Sequence, residues 1–228
     1  MATYVMSDIH GDRKRFYRML EILRFSPEDT LYILGDVLDR GPEGAELLED
    51  IRREKNMILL LGNHEYMCLR YHAPDADERA IRHWNRNGNA PTLSGLARMG
   101  EARKQTLLTY MAGLPSHLNI QVDGRQFYLV HGFPGNTVYE EVWQRPDPDT
   151  ANPMPGYTVV IGHTPVPCLG RSDAEADRLL EQMAREGRGV SIFHGDGFID
   201  LDCLCGYAEY PAGRLGCLRL EDMAEFYC

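Results

Sequence analysis

The chain has 228 residues, 43% of them apolar, enough for one domain with a sizeable core. Its formal net charge is −10 and no block of Lys or Arg stands out, so it lacks the electrostatic footprint for a polyanion such as duplex DNA. No run reaches the roughly 18 apolar residues of a membrane span. No basic and apolar leader precedes the first motif, so neither a membrane partner nor secretion is expected, and the expected location is cytoplasmic.

Residues 3–7 (TYVMS) read as a first buried strand, and residues 12–24 carry Phe16, Met19, Leu20 and Leu23 at helical spacing. Residues 30–34 (TLYIL) read as a second strand. Pro42 suits the start of a helix through about residue 54, and residues 57–61 (MILLL) read as a third strand. This β-α-β-α-β order with near-continuous apolar strands predicts a sheet covered on both faces.

From about residue 65 to 114, helical patterns are broken by Pro74, Gly88, Pro91 and Gly100, which predicts a helical insertion over or beside a site. Tyr66, Met67, Tyr71 and Trp84 in it belong either to the core of that layer or to a substrate groove. Residues 117–122 and 125–130 flank Asp123-Gly124, a hairpin signal. Residues 146–156 hold four prolines and read as an irregular loop, and 157–161 (YTVVI) as a buried strand. Residues 171–188 read as a surface helix with a loop, and the last forty residues as short strands: VSIF, GFIDLDCL, GRLGCLRL and AEFYC. The six cysteines (Cys68, Cys168, Cys203, Cys205, Cys217 and Cys228) read as reduced structural thiols. Cys203-Leu204-Cys205 lacks CxxC spacing and its alternation fits one face of a strand.

Charged and polar residues gather where these strands end. Asp8-x-His10-Gly11 follows the first, Gly35-Asp36-x-x-Asp39-Arg40-Gly41 the second and Gly62-Asn63-His64-Glu65 the third. His131-Gly132 and Gly162-His163 follow two later strands. In layered α/β folds the ligand crevice lies outside the carboxyl ends of the strands. Asp8, His10, Asp36, Asn63, His131 and His163 are therefore expected in one cleft. Carboxylates, imidazoles and an amide oxygen suit two divalent ions, with Mn²⁺ the first choice and Fe or Zn²⁺ the alternatives. A pair of ions needs a shared carboxylate, and Asp36 is the natural bridge; such a pair clamps phosphoryl oxygens and activates water for in-line attack. Arg40 offers a fork of donors to phosphate. His64 is placed to protonate the leaving oxygen, with Asp39 orienting its ring. His72, His83, His117 and His194 read as structural or exposed.

These five motifs resemble the signatures of the calcineurin-like metallophosphoesterases, and more narrowly the phosphoprotein phosphatase branch with its small phage and bacterial members. The resemblance covers nearly the whole chain, since Phe198-Ile199-Asp200 and residues 214–220 are similar to that group's closing strands. It implies a single domain over 1–228, a two-sheet β-sandwich flanked by helices in a four-layer α/β/β/α arrangement, with the insertion at about 65–114. It implies one ion on Asp8, His10 and Asp36 and a second on Asp36, Asn63, His131 and His163. Arg40 and Asn63 would meet the phosphate, and His64 with Asp39 would form the acid pair. Trp143-x-Arg145 is similar to the segment that carries a second phosphate-binding arginine.

The function expected first is removal of phosphate from phosphoserine or phosphothreonine in proteins. The alternative is symmetric hydrolysis of diadenosine tetraphosphate, for which the insertion would have to supply an adenine pocket. A third reading, an inactive relative that binds phosphorylated partners, is disfavoured by the intact ligand set. Leu61 departs from the Arg frequent before Gly-Asn-His-Glu in protein phosphatases, and Glu65 from the Asp usual in the tetraphosphate hydrolases. Phe133, after His131-Gly132, is expected to narrow the site.

Overall fold

The first strand, β1 (Thr3–Met6), sends Tyr4 and Met6 to one side and Val5 to the other, and the layers of the molecule follow from that division. The computed structural model describes residues 1–228. After β1 come α1 (Arg13–Leu23), β2 (Thr30–Ile33), α2 (Gly44–Arg53), β3 (Met57–Leu59) and four helices, α3 (Asn63–His72), α4 (Glu78–Arg86), α5 (Ala90–Met99) and α6 (Glu101–Ala112). The hairpin β4 (His117–Val122) and β5 (Arg125–Val130) leads to α7 (Val138–Trp143), β6 (Thr158–Ile161) and α8 (Asp173–Arg185). Four short strands close the chain: β7 (Phe193–His194), β8 (Phe198–Asp200), β9 (Gly216–Arg219) and β10 (Ala224–Tyr227).

The strands form two five-stranded sheets flanked by the helices, in the orders β10-β9-β1-β2-β3 and β4-β5-β6-β8-β7. In the first sheet β1, β2 and β3 are parallel and β9 and β10 antiparallel. In the second, β5, β6 and β8 are parallel. Tyr4, Met6, Leu31 and Ile33 pack outward against Phe16 and Met19 of α1 and Leu47 and Leu48 of α2. Val5, Leu34, Leu60 and Leu218 face inward against Phe127, Leu129, Val160 and Ile199 of the second sheet. Tyr128, Val130, Val159 and Ile161 form a smaller cluster on that sheet's far face. Alternate side chains thus fill different layers, and the parallel strands of both sheets end near one edge of the sandwich.

Three readings of the sequence are corrected. The helical insertion starts earlier than residue 65, because Asn63 and His64 already form the first turn of α3, and its N-terminal N–H groups are met by carboxylates. Residues 190–192 and 201–204 are not strand. The Asp202 carboxylate accepts from the Leu204 N–H at 3.0 Å, and Leu204 has φ 64°, so the chain turns there. Cys203 and Cys205 consequently do not share a strand face; Cys203 enters the cluster between the sheets and Cys205 the cluster under α1. Phe133 does not narrow the cleft, for it packs against Phe198 on the far face of the second sheet. The short helix α7 is not among the elements expected from the sequence.

Candidate metal centre and active site

Six of the ten non-glycine residues with left-handed backbone are Asp8, His10, Asp36, Asp39, Arg40 and His163. A left-handed residue straight after a strand turns the chain sharply, and such strained positions gather where side chains must converge. The turns also need space. A methyl group at Gly62 would strike the Asp36 carboxylate and backbone, and one at Gly162 would strike Ser7 and Asp8.

Asp36 lies at the centre. Its Oδ2 is 3.7 Å from His10 Nε2 and 3.7 Å from His64 Nε2, and its Oδ1 is 3.3 Å from His131 Nε2. Asp8 Oδ1 is 3.8 Å from His10 Nε2, while Asp8 Oδ2 accepts from the His163 backbone N–H at 3.0 Å, so the two sheets meet at this carboxylate. Asn63 Oδ1 accepts from His131 Nε2 at 2.8 Å and from His163 Nδ1 at 2.9 Å. The six expected ligands are all buried and all in one cluster. Two triads have donor atoms close enough to share an ion: His10, Asp36 and His64, and Asp36, His131 and His163.

The ring orientations suit ion binding. His10 Nδ1 donates to the Leu38 carbonyl and His131 Nδ1 to the Leu34 carbonyl, both at 2.9 Å, which turns each Nε2 toward Asp36. His163 Nε2 is buried without a partner. Burial, then the charge of Arg40 and the neighbouring His64, hold His10 well below the usual imidazole range. Burial and His131 do the same to His163. Burial would raise Asp36, but His131, His64 and His10 outweigh it and hold this carboxyl well below the usual range. Burial and the nearby Asp36 push Asp8 upward. Burial alone would lower His131, yet Asp36 and Asp8 outweigh it and raise this imidazole to about 9. A buried set of two carboxylates, three imidazoles and an amide oxygen, with ring tautomers fixed by the backbone, fits a pair of divalent ions.

Around the cluster stand the groups expected to act on phosphate. Arg40 Nη1 donates to His10 Nε2 at 2.5 Å and its Nη2 lies 3.4 Å from His64 Nε2. Its guanidinium rests on the Tyr207 ring, 4.1 Å from the centroid. His64 Nδ1 donates to Asp39 Oδ2 at 2.6 Å. Arg145 is exposed beyond α7 and does not join this network by hydrogen bond or ion pair, although its charge acts on His163 and Asp200.

Several residues of the site were not read from the sequence. Trp84 Nε1 donates to Asp39 Oδ2 and Thr92 Oγ1 to Asp39 Oδ1, both at 2.6 Å. Trp84 is therefore no groove residue, and neither is Tyr71, which packs edge-on against it at 4.9 Å. Glu65 accepts from the backbone N–H groups of Asp36, Val37, Leu38 and Gly62 at 2.8–3.2 Å, fixing the central loop to the start of α3. Burial, then the Asp36 charge, push Glu65 up to about 7. Asp200 and Asp202 lie buried nearby, both raised well above the carboxylate range by burial and by each other or Asp8. Tyr66 and Met67 do line a cavity, together with Tyr139 and Trp143 of α7.

The model of the calcineurin-like phosphoesterase family matches residues 1–197, and the chain belongs to that family. Among curated proteins it is similar to the symmetrical bis(5'-nucleosyl)-tetraphosphatase of Paracidovorax citrulli, 31% identical over 134 residues, which is 58% of this chain and 44% of that protein. The chain spans less than half the length of the curated relatives it matches. Its fold is similar to that of a candidate diadenosine tetraphosphatase of known structure, with a TM-score of 0.63 at 19% identity, covering 99% of this chain and 92% of that one. A protein serine/threonine phosphatase from Saccharomyces cerevisiae is similar in fold as well, with a TM-score of 0.58 at 14% identity, covering 96% of this chain and 72% of that one. The clusters of carboxylates and imidazoles at the site bring donor atoms close enough together to hold metal ions.

Proposed function

We propose that this protein hydrolyses phosphate esters or anhydrides at a centre of two divalent ions. The ions would be held by Asp8, His10, Asp36, Asn63, His131 and His163, with Mn²⁺ the preferred metal. The observation that carries the reading is the position of Asp36, whose Oδ2 faces the ligand His10 and the proposed acid His64 while its Oδ1 faces the ligand His131. Ions bound there would polarise phosphoryl oxygens and activate a water molecule. Arg40 lies over the same cluster and would donate to the phosphoryl oxygens as charge develops on them. His64 would give a proton to the leaving oxygen, its ring held by Asp39 so that Nε2 faces the cluster.

Two substrate classes fit this chemistry. The curated relatives carry the name of symmetrical bis(5'-nucleosyl)-tetraphosphatases, which supports a dinucleoside tetraphosphate, cleaved by water at the central P–O–P bond to give two nucleoside diphosphates. The phosphoprotein reading draws only on shared fold, in the yeast phosphatase, and on the motifs themselves. Dinucleoside polyphosphate is therefore placed first. A side-by-side assay with Mn²⁺ decides it, comparing diadenosine tetraphosphate, a phosphoserine/phosphothreonine peptide and an aryl phosphate. The highest kcat/KM is expected on diadenosine tetraphosphate. A higher value on the peptide would reverse the order, and no turnover of any of the three would overturn the hydrolase reading.

A further inference from the structure

Beside the metal-type cluster lies a cavity of about 380 Å³ between α3, α4 and α7, within the roughly 300–1,000 Å³ range of small-molecule sites. Its walls are unusually rich in rings. Trp143 is stacked on His83 at 5.0 Å and 22°, Tyr139 stands 6.1 Å from Trp143, and Tyr66 meets Tyr139 edge-on at 6.2 Å. Arg70 and Arg79 line the same space. Tyr139 is 57% exposed, so its ring is available to a ligand.

Two features join this cavity to the reacting centre. The Trp143 ring stands perpendicular to the His163 ring, centroids 5.8 Å apart. Asn63, Tyr66 and Arg70 occupy positions i, i+3 and i+7 of α3, one face of a helix that starts at the ligand cluster and continues along the cavity. A third feature concerns polarity: Trp143 Nε1 is shielded from solvent and has no hydrogen-bond partner.

We propose that this cavity binds the nucleobase of a nucleotide substrate while the phosphoryl group lies at the Asp36 centre. Aromatic faces stack on a base whatever its sequence identity. Arginine stacks on planar rings as well as pairing with phosphate; Arg70 is paired with Asp75, and Asp77 lines the same space, so Arg79 is the cation this cavity offers to a polyphosphate. A cavity bounded by three helices suits one ring system with its sugar better than an extended peptide. The proposal rests on the hydrolase reading of the Asp36 centre and adds its leaving-group side.

The test uses the Mn²⁺-loaded protein and isothermal titration with AMP, ribose 5-phosphate and inorganic phosphate. AMP is expected to bind about tenfold or more tightly than ribose 5-phosphate, the scale of one stacked base. Tyr139→Ala, Trp143→Leu and Arg79→Ala should bring that ratio toward one, and Tyr139→Ala and Arg79→Ala alter exposed positions where folding is not at stake. Equal affinity for AMP and ribose 5-phosphate in the unaltered protein would overturn the proposal. So would a ratio that none of the three variants moves. Inorganic phosphate binding and aryl phosphate turnover report separately on the Asp36 centre, so a protein active on aryl phosphate but indifferent to adenine would refute the cavity assignment alone.

Discussion

The indole N–H of Trp84 donates to Asp39 Oδ2 at 2.6 Å, on the same oxygen that accepts from His64 Nδ1 at 2.6 Å. A fully buried residue of the helical insertion thereby holds the carboxylate that orients the histidine proposed as acid. Thr92 completes the arrangement: its hydroxyl donates to the other oxygen of Asp39 and accepts from the Asp39 N–H. The insertion is thus tied into the site.

Trp84→Phe keeps the ring and removes the donor, and Thr92→Val keeps the shape and removes the hydroxyl. Each leaves Asp39 short of a charge-assisted bond, at a cost of about 1.5–3 kcal/mol in stability. Turnover of an alkyl phosphate is expected to fall about tenfold or more, up to the roughly 10²–10⁴ that a general acid contributes in full. An activated aryl phosphate, which needs little protonation, should lose far less. Equal losses on both substrates, measured by steady-state kinetics beside a melting curve, would reduce the two residues to packing.

Asp36→Asn removes the charge that faces both groups of ligands. Turnover is expected to fall by at least about 10³, the scale attached to a lost electrostatic stabiliser of the transition state. Metal content, measured by elemental analysis after dialysis, should drop below two ions per chain. Wild-type activity in this variant would rule out Asp36 as the bridge.

Metal affinity should depend on pH through His131. Its imidazole is raised to about 9 by Asp36 and Asp8 against the effect of burial, whereas an ion needs the neutral ring. In the metal-free protein the folded pKa exceeds the ordinary value of about 6.5. Protonated His131 then stabilises the fold fully below about pH 6.5, and that contribution is lost as pH rises through 9. The melting temperature of chelator-treated protein should fall across this window. Over the same window the apparent Mn²⁺ affinity should rise, by about tenfold per pH unit if one proton is released. A flat affinity between pH 6.5 and 9, read by titration calorimetry in two buffers, would contradict this account.

Glu65→Gln places an amide among backbone donors that now share one carboxylate. Each oxygen now accepts from two of the four N–H groups, so replacing one oxygen by an amide nitrogen leaves two buried N–H groups without a partner. A loss of about 2–4 kcal/mol is expected, as for a broken buried charge-assisted network. Because Asp36 sits on that loop, Mn²⁺ affinity should weaken as well. A variant with unchanged melting temperature and metal binding would show that the clamp is dispensable.

Much of this site was legible because each proposed ligand follows a strand that is apolar and short. Asp8, Asp36, Asn63, His131 and His163 could be placed at one edge from that pattern, and the structure brings them there. Trp84, Thr92 and Tyr207 could not, since an indole, a hydroxyl and a phenol inside helical or irregular segments give no sign of the loop they reach. Glu65 was visible in the sequence only as a departure between related groups; the four N–H groups it binds belong to the fold. The chain's turn at Asp202 and Leu204 was hidden because the alternation of Asp202-Cys203-Leu204-Cys205 imitates a strand, while the Asp202 side chain bonds its own backbone.

The sequence by itself determined the identity and order of the chemical groups: which strand ends carry carboxylates and imidazoles, and that Arg40, Asp39 and His64 accompany them. Local periodicity and motif spacing are properties of the chain, so they can be read along it. Only the tertiary structure decided that Asp8 meets the His163 backbone across two sheets, and that α3 and α7 enclose a ring-lined cavity beside the cluster. Those contacts join residues 155 and roughly 70 positions apart, and no local pattern encodes a contact made by folding two distant segments together.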